Sequence, residues 1–352
     1  MIGTTPRNGS PGKEGCKRVV MMDARQRFLQ ILSFQSTDRV PYLDEGIRDE
    51  VLDEWRTQGY PKRASLEEVF HYDRRDEIDP DLEPRPYPHR WPRQPKDLGW
   101  FRRRLDPHSS RRLPRNWTKQ VKAWQSRDYP LILHVHQGFF LTMGVGDWDR
   151  FYDVIYQTKD EPELVRGMMM AQGEFAANLA ERILSQVSVD AVLFSEPIGG
   201  NNGPIISPRM YREFVLKSYL PLMEVFKRFQ VPLVIMRTYA NPRPLLDGMF
   251  ELGVNCLWAC EVPHSEALVG EMDYIKLRKE YGNELRLIGG IDADALRIDK
   301  NAVDGELEKV PELLAQSGYI PLLDGRVRVD VPYANYVYYR KRLEEIIEGF
   351  TR

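Results

Sequence analysis

One pattern restricts this chain more than any other: short apolar runs alternate with longer amphipathic stretches. LILHVH (131–136), AVLF (191–194), PLVIM (232–236), VNCLWA (254–259), LRLIGG (285–290) and YIPLL (319–323) are the clear runs. Helical stretches lie between and after them, at about 161–187, 208–229, 243–252, 273–281, 299–316 and 333–349. A short run without polar alternation reads as a strand covered on both faces. Helices interposed between such strands imply parallel crossovers. The start of the chain adds to the series. DARQRFLQILSF spaces Phe28, Leu29 and Leu32 for a helix that Asp23 can cap. DRVPYLDE gives a strand at 39–44, followed by a helix in RDEVLDEW, and a poorer strand candidate lies at 74–80.

Eight strand–helix units predict a (β/α)8 TIM barrel, with an open doubly wound sheet as the alternative. The chain has 352 residues, which suits one barrel with insertions. GVGD (144–147) and GGNNG (199–203) fall short of a dinucleotide-binding fingerprint, and no P-loop or internal repeat is present. The expected organisation is a flexible extension over residues 1–22 and a single barrel domain over 23–352. An insertion at 81–128 separates the second and third strands.

That insertion carries a charge asymmetry. From Arg85 to Asp128 there are thirteen Lys/Arg against three acids, a net of +10. The whole chain sums to −2, so the remainder is −12. Trp91, Trp100, Trp117 and Trp124 lie among these cations. Basic residues interleaved with aromatics suit single strands. The near-neutral total argues against a dedicated nucleic-acid binder, and a solvated or internally paired arm is the simpler reading. Cys16, Cys256 and Cys260 cannot build a disulfide framework, which points to a reducing, cytoplasmic setting. No apolar run reaches the roughly 18–20 residues of a membrane span.

In a barrel of this kind, chemistry gathers at strand C-termini. Glu45, His134, His136, Glu196 and Asp324 are the catalytic candidates on that rule. His134 and His136 are two residues apart on one strand, so an ideal pleat points both to the same face. With Glu196 as a third ligand they would offer a divalent metal site. Arg237, Tyr239, Asn241, Asp292 and Arg326 are the substrate-binding candidates. Arg237 and Arg326, after two different strands, would clamp a carboxylate or phosphate. Cys256, Cys260 and His264 form C-x3-C-x3-H, read first as buried thiols with a surface histidine. Met168, Met169 and Met170 read as packing residues. Ser207 and Pro208 read as the start of a helix.

Four segments resemble the uroporphyrinogen decarboxylase superfamily. They are RQRFLQILSFQSTDRVPY, FSEPIGGNNGPIISPRMYREF, YIKLRKEYGNELRLIGGIDADAL and SGYIPLLDGRVRVDVPYANYVYYRKRLEEI. The similarity spans about residues 23–352, is poorest at 81–128, and is closest to the corrinoid-linked methyltransferase branch. It implies a (β/α)8 barrel with its site at the strand C-termini. Three departures stand out. YLDEGIRDE has only Arg48 where porphyrinogen decarboxylases place paired arginines. MRTYANPRPLL puts Arg237 and Tyr239 in the places of a His-x-Cys zinc pair. LLDGRV keeps Asp324 but has Gly325 in place of the following histidine.

The resemblance therefore implies, first, a methyltransferase passing a methyl group from a small anionic substrate to a corrinoid on a partner protein. The second expectation is a cofactor-independent decarboxylase of a (poly)carboxylate such as a porphyrinogen. The third is a non-catalytic barrel whose basic arm recruits an acidic partner. A homodimer is the assembly the resemblance suggests; a membrane partner is not expected.

Overall fold

The computed structural model describes residues 21–200, 202–262 and 272–350. The expected extension lies almost wholly outside these residues, as do Cys16 and His264. Seven strands form one parallel, curled sheet: β1 (Asp76–Ile78), β2 (Leu131–His136), β3 (Ala191–Glu196), β4 (Leu233–Tyr239), β5 (Cys256–Cys260), β6 (Arg286–Gly289) and β7 (Tyr319–Ile320). They hydrogen-bond in chain order, each to the next. Helices connect them, including Pro162–Leu184, Lys217–Arg228, Leu246–Leu252 and Tyr274–Tyr281. The six clear apolar runs are all strands, because burial on both faces leaves no position that must be polar.

The local signals behave as their chemistry requires. Asp23 accepts from Gln26 N–H at 2.7 Å and caps Ala24–Leu32. Ser207 caps the helix that Pro208 opens. That helix runs through a π-helical segment, Tyr211–Leu216, before Lys217. Met168 and Met169 are fully buried in the core. The helix expected at 299–316 is two, Lys300–Leu307 and Val310–Ala315. Pro311 opens the second, since it cannot continue the first.

The expected strand at 39–44 is not in the ladder, and the weak candidate at 74–80 is: it supplies β1. Pro41 has no N–H to donate. The Tyr42 N–H is taken at 2.8 Å by the Asp73 carboxylate. Asp73 also binds Arg27 and Arg39, and Asp38 binds Arg27 at 2.7 Å. This side-chain network claims the segment's backbone. Its extended chain touches both margins of the sheet. Asp73, just before β1, donates its N–H to Tyr42 O (2.9 Å), and Val327, after β7, donates to Gly46 O (3.1 Å). Ile47 and Val327 form a parallel bridge.

The basic insertion folds over the helix Pro162–Leu184. Arg112 is buried and donates to the carbonyls of Arg104, Asp106, Asp81 and Glu83. Phe101 is fully buried, and Gln172 of the long helix donates to Leu82 O at 2.8 Å. No helix among the described residues is long and apolar enough to cross a membrane.

Candidate active site

Because all seven strands are parallel, their C-termini share one end of the sheet. Strand β2 reaches that end with a register shift. His134 pairs with Leu193, but His136 pairs with Phe194, so two steps on β2 match one on β3. The extra residue, Val135, is a β-bulge, and it reverses the side on which the next side chain emerges. His134 shares a face with Leu193 and Ser195; His136 shares the opposite face with Phe194 and Glu196. The two histidines expected on one face are thus separated.

On the inner face, His134 Nε2 lies 2.7 Å from Glu77 Oε2. Burial raises the Glu77 carboxyl, but the His134 hydrogen bond and the Arg75 charge outweigh it and hold the group at about 2. Ionised Glu77 only accepts, so Nε2 is the donor and Nδ1 is not engaged by Glu77. Arg75 is 3.1 Å from Glu77 and lies over the Trp258 ring at 5.1 Å. Arg237 stacks on the same indole at 5.6 Å and pairs with Glu45 at 3.4 Å. Burial raises the Glu45 carboxyl against the pull of Arg237, and its Oε2 has no hydrogen-bond partner. Tyr239 and Cys260 border this cluster; burial raises both, so phenol and thiol stay neutral. Ala240 (φ 55°) and Glu261 (φ 47°), just past β4 and β5, hold left-handed backbone without being glycine.

On the outer face, Glu196 is fully buried against the helix layer. It accepts from Phe139 N at 2.9 Å, Tyr219 OH at 2.5 Å and Tyr211 OH at 3.4 Å. The π-helical segment Tyr211–Leu216 begins at one of these tyrosines and ends three residues before the other. Burial, only partly offset by these donors, raises Glu196 to about 7. His136 packs edge-on against Tyr219 at 4.6 Å and accepts from Gly138 N at 3.0 Å on Nδ1. Burial drops it to about 3, so it is neutral, and its Nε2–H has no partner. Gly138 (φ 83°) is required here: a Cβ would stand 2.7 Å from Glu196 Oε1.

A cavity of about 560 Å³ opens above the inner face. His134, Ser195 and Arg237 line it from the sheet, and Arg85, Arg111 and Arg115 from the insertion. His136 borders it but is only 1% exposed. Arg85 is neutralised by Asp81 at 2.5 Å. Arg111 and Arg115 are exposed and have no ion pair among the described residues.

Glu45, His134, Arg237 and Tyr239 therefore come together. Arg326 is exposed and reaches the group only through its charge on Glu45. Arg237 and Arg326 are not brought together; the guanidinium that shares the Trp258 ring with Arg237 is that of Arg75. Asp324 ties loops, accepting from Ala293 N (3.0 Å) and Val262 N (3.1 Å). Asp292 accepts from Asp294 N at 2.8 Å in a turn, and Asn241 from Arg243 N at 3.0 Å. The three-ligand set His134, His136 and Glu196 is not assembled, because the bulge puts His134 on the other side. No group of three or more His, Cys, Asp or Glu suited to a metal ion occurs among the described residues. Arg237, held by Glu45, and neutral Tyr239 do not fit zinc.

Arg75, Glu77 and Trp258 were not among the expected site residues. The charges of RRDEI conceal a three-residue strand, in which Ile78 is the one apolar residue. No family model matches the sequence, and no curated protein matches it significantly.

Proposed function

We propose that this chain is an enzyme of the uroporphyrinogen decarboxylase-like kind, acting on a small anionic substrate by proton transfer at His134. The fold in this reading is an eight-unit (β/α)8 barrel, with residues 39–47 in the first strand's place. The hydrogen bonds of that segment to both margins of the sheet support it. The observation that carries the functional reading is the His134–Glu77 pair facing a cavity walled by Arg111, Arg115 and Arg237. A carboxylate-oriented imidazole moves protons, and Arg111 and Arg115, without ion pairs among the described residues, attract carboxylates.

Loss of CO2 from a (poly)carboxylate asks least beyond these groups. The arginines hold the carboxylates that stay. The carbon–carbon bond breaks, its electron pair remains on the substrate carbon, and protonated His134 delivers a proton there. Glu77 holds the ring in place for that transfer through its bond to Nε2. The missing arginine pair near residue 48 weighs less against this reaction, because Arg75, Arg237 and the arm supply cations from elsewhere.

Methyl transfer to a corrinoid on a partner protein is the second reading. It is favoured by exposed Leu141, Trp148, Ile205 and Val329. All four follow strand C-termini, so a partner's cofactor domain docked at that end would meet apolar surface. His134 would then protonate the atom that loses the methyl group.

One experiment separates the readings. Anaerobic incubation with porphyrinogens and small polycarboxylates should release CO2, and His134→Ala should lower the rate about 10²–10⁴-fold. Methylcobalamin formed from methyl ethers or amines, with no CO2, would replace the first reading by the second. Turnover unaffected by His134→Ala would remove both.

A further inference from the structure

The insertion holds a second concavity, of about 590 Å³, whose lining shares no residue with the cavity at His134. Trp91 and Trp100 present indole surface to it, and His89, Arg90, Lys96 and Arg104 line it as well. Asp97 is the one carboxylate in the lining, and its Oδ2 is occupied by the N–H groups of Arg93 (2.9 Å) and Gln94 (3.1 Å). Arg90 and Lys96 are exposed and have no ion pair among the described residues. The volume falls within the range of small-molecule sites, roughly 300–1,000 Å³.

The walls are fixed in advance. Trp91 lies so close to Gly144 that a Cβ there would stand 2.0 Å from the indole. Tyr87 meets the same ring edge-on at 5.9 Å. Gln157 donates to Pro92 O at 3.5 Å, and Arg93 pairs with Asp153 at 3.5 Å, so the arm is tied to the helix Trp148–Asp160. Arg104 stacks on Trp100 at 4.6 Å while donating to Pro86 O at 3.1 Å. A ligand entering here finds the aromatic wall already ordered and has only the exposed Arg90 and Lys96 to order, which favours binding.

We propose that this concavity is a mononucleotide site: a planar base stacks on indole and a phosphate is held by Arg90 and Lys96. Stacking on tryptophan accepts any base, and clustered cations without partners take phosphate. The positive surface is local. The adjoining helix exposes Asp149 and Asp160, which repel the continuation of a longer strand. The site is independent of the reaction at His134.

The test is calorimetric titration of the full chain with AMP, adenosine and inorganic phosphate. AMP should bind at least tenfold more tightly than either fragment. Trp100→Ala and the double variant Arg90→Glu/Lys96→Glu should each weaken AMP at least tenfold, while Arg115→Glu leaves it unchanged. The double variant alters exposed residues only, so it keeps the test intact if Trp100→Ala misfolds. No AMP binding at millimolar concentration overturns the proposal. Binding lost in Arg115→Glu and kept in the double variant also overturns it, by placing AMP in the other cavity. Binding of oligonucleotides alone, falling steeply with salt, overturns it in favour of a strand-binding surface.

Discussion

Glu196 and His136 share one buried compartment and titrate in opposite senses. Folded Glu196 holds its proton up to about pH 7 rather than 4.5, so its contribution to stability is lost as pH rises through that window. Folded His136 refuses a proton down to about pH 3 rather than 6.5, so its contribution is lost as pH falls. Between pH 4.5 and 6.5 the two slopes oppose each other. Glu196→Gln should leave the histidine slope alone. Relative to the parent, the variant should gain stability with rising pH by up to about 1.4 kcal/mol per unit across that window. Urea unfolding of both proteins at pH 4.5, 5.5 and 6.5 measures this. Parallel curves would mean that Glu196 is ionised in the folded chain throughout. Sequence placed both residues at a strand end correctly. Their common compartment was hidden, because a one-residue bulge is set by the neighbouring strand rather than by the residues at the bulge.

At the scale of elements, the segment 39–47 is held by side chains rather than by a ladder. Asp73 gathers Arg27, Arg39 and the Tyr42 N–H in one buried network. Asp73→Ala strands the Arg39 guanidinium and a backbone donor, while Arg27 keeps Asp38, and should cost about 3–5 kcal/mol. Asp73→Asn, which keeps an acceptor for Tyr42, should cost less. Amide exchange at Tyr42 should speed up more in the alanine variant, and equal exchange in both would show that the carboxylate does not hold this segment. Most of the sheet was readable because strands buried on both faces leave uninterrupted apolar runs. This margin was not, because a competing carboxylate takes the strand's hydrogen bond. Likewise β1 was faint: Glu77 and the preceding Arg75 belong to the site and not to the core, so the strand lacks the apolar signature of its neighbours.

For the molecule as a whole, the +10 arm on a −12 body invites a charge-attraction picture, but the one buried ion pair between them among the described residues is Arg127–Asp190 (2.9 Å), at the very end of the arm. The ion pairs from the arm to the long helices, Arg93–Asp153 and Arg102–Glu174, are exposed and worth at most about 1 kcal/mol each. The arm is organised by Arg112 on main-chain carbonyls and by buried Phe101. Trypsin resistance within 81–128 should therefore survive 1 M salt and fail in Arg112→Ala, which leaves buried acceptors unpaired at about 1–3 kcal/mol each. Loss of protection in salt alone would restore the charge-attraction picture. The parallel sheet has a practical consequence at its other end. Loops there, such as the exposed turn at Phe229–Gln230, enter strands from behind and face neither cavity. A fluorescent reporter or affinity handle spliced into that turn should leave His134-dependent turnover within about twofold of the parent. The protein offers an inert side by which it can be tethered, imaged or displayed while its working end stays open.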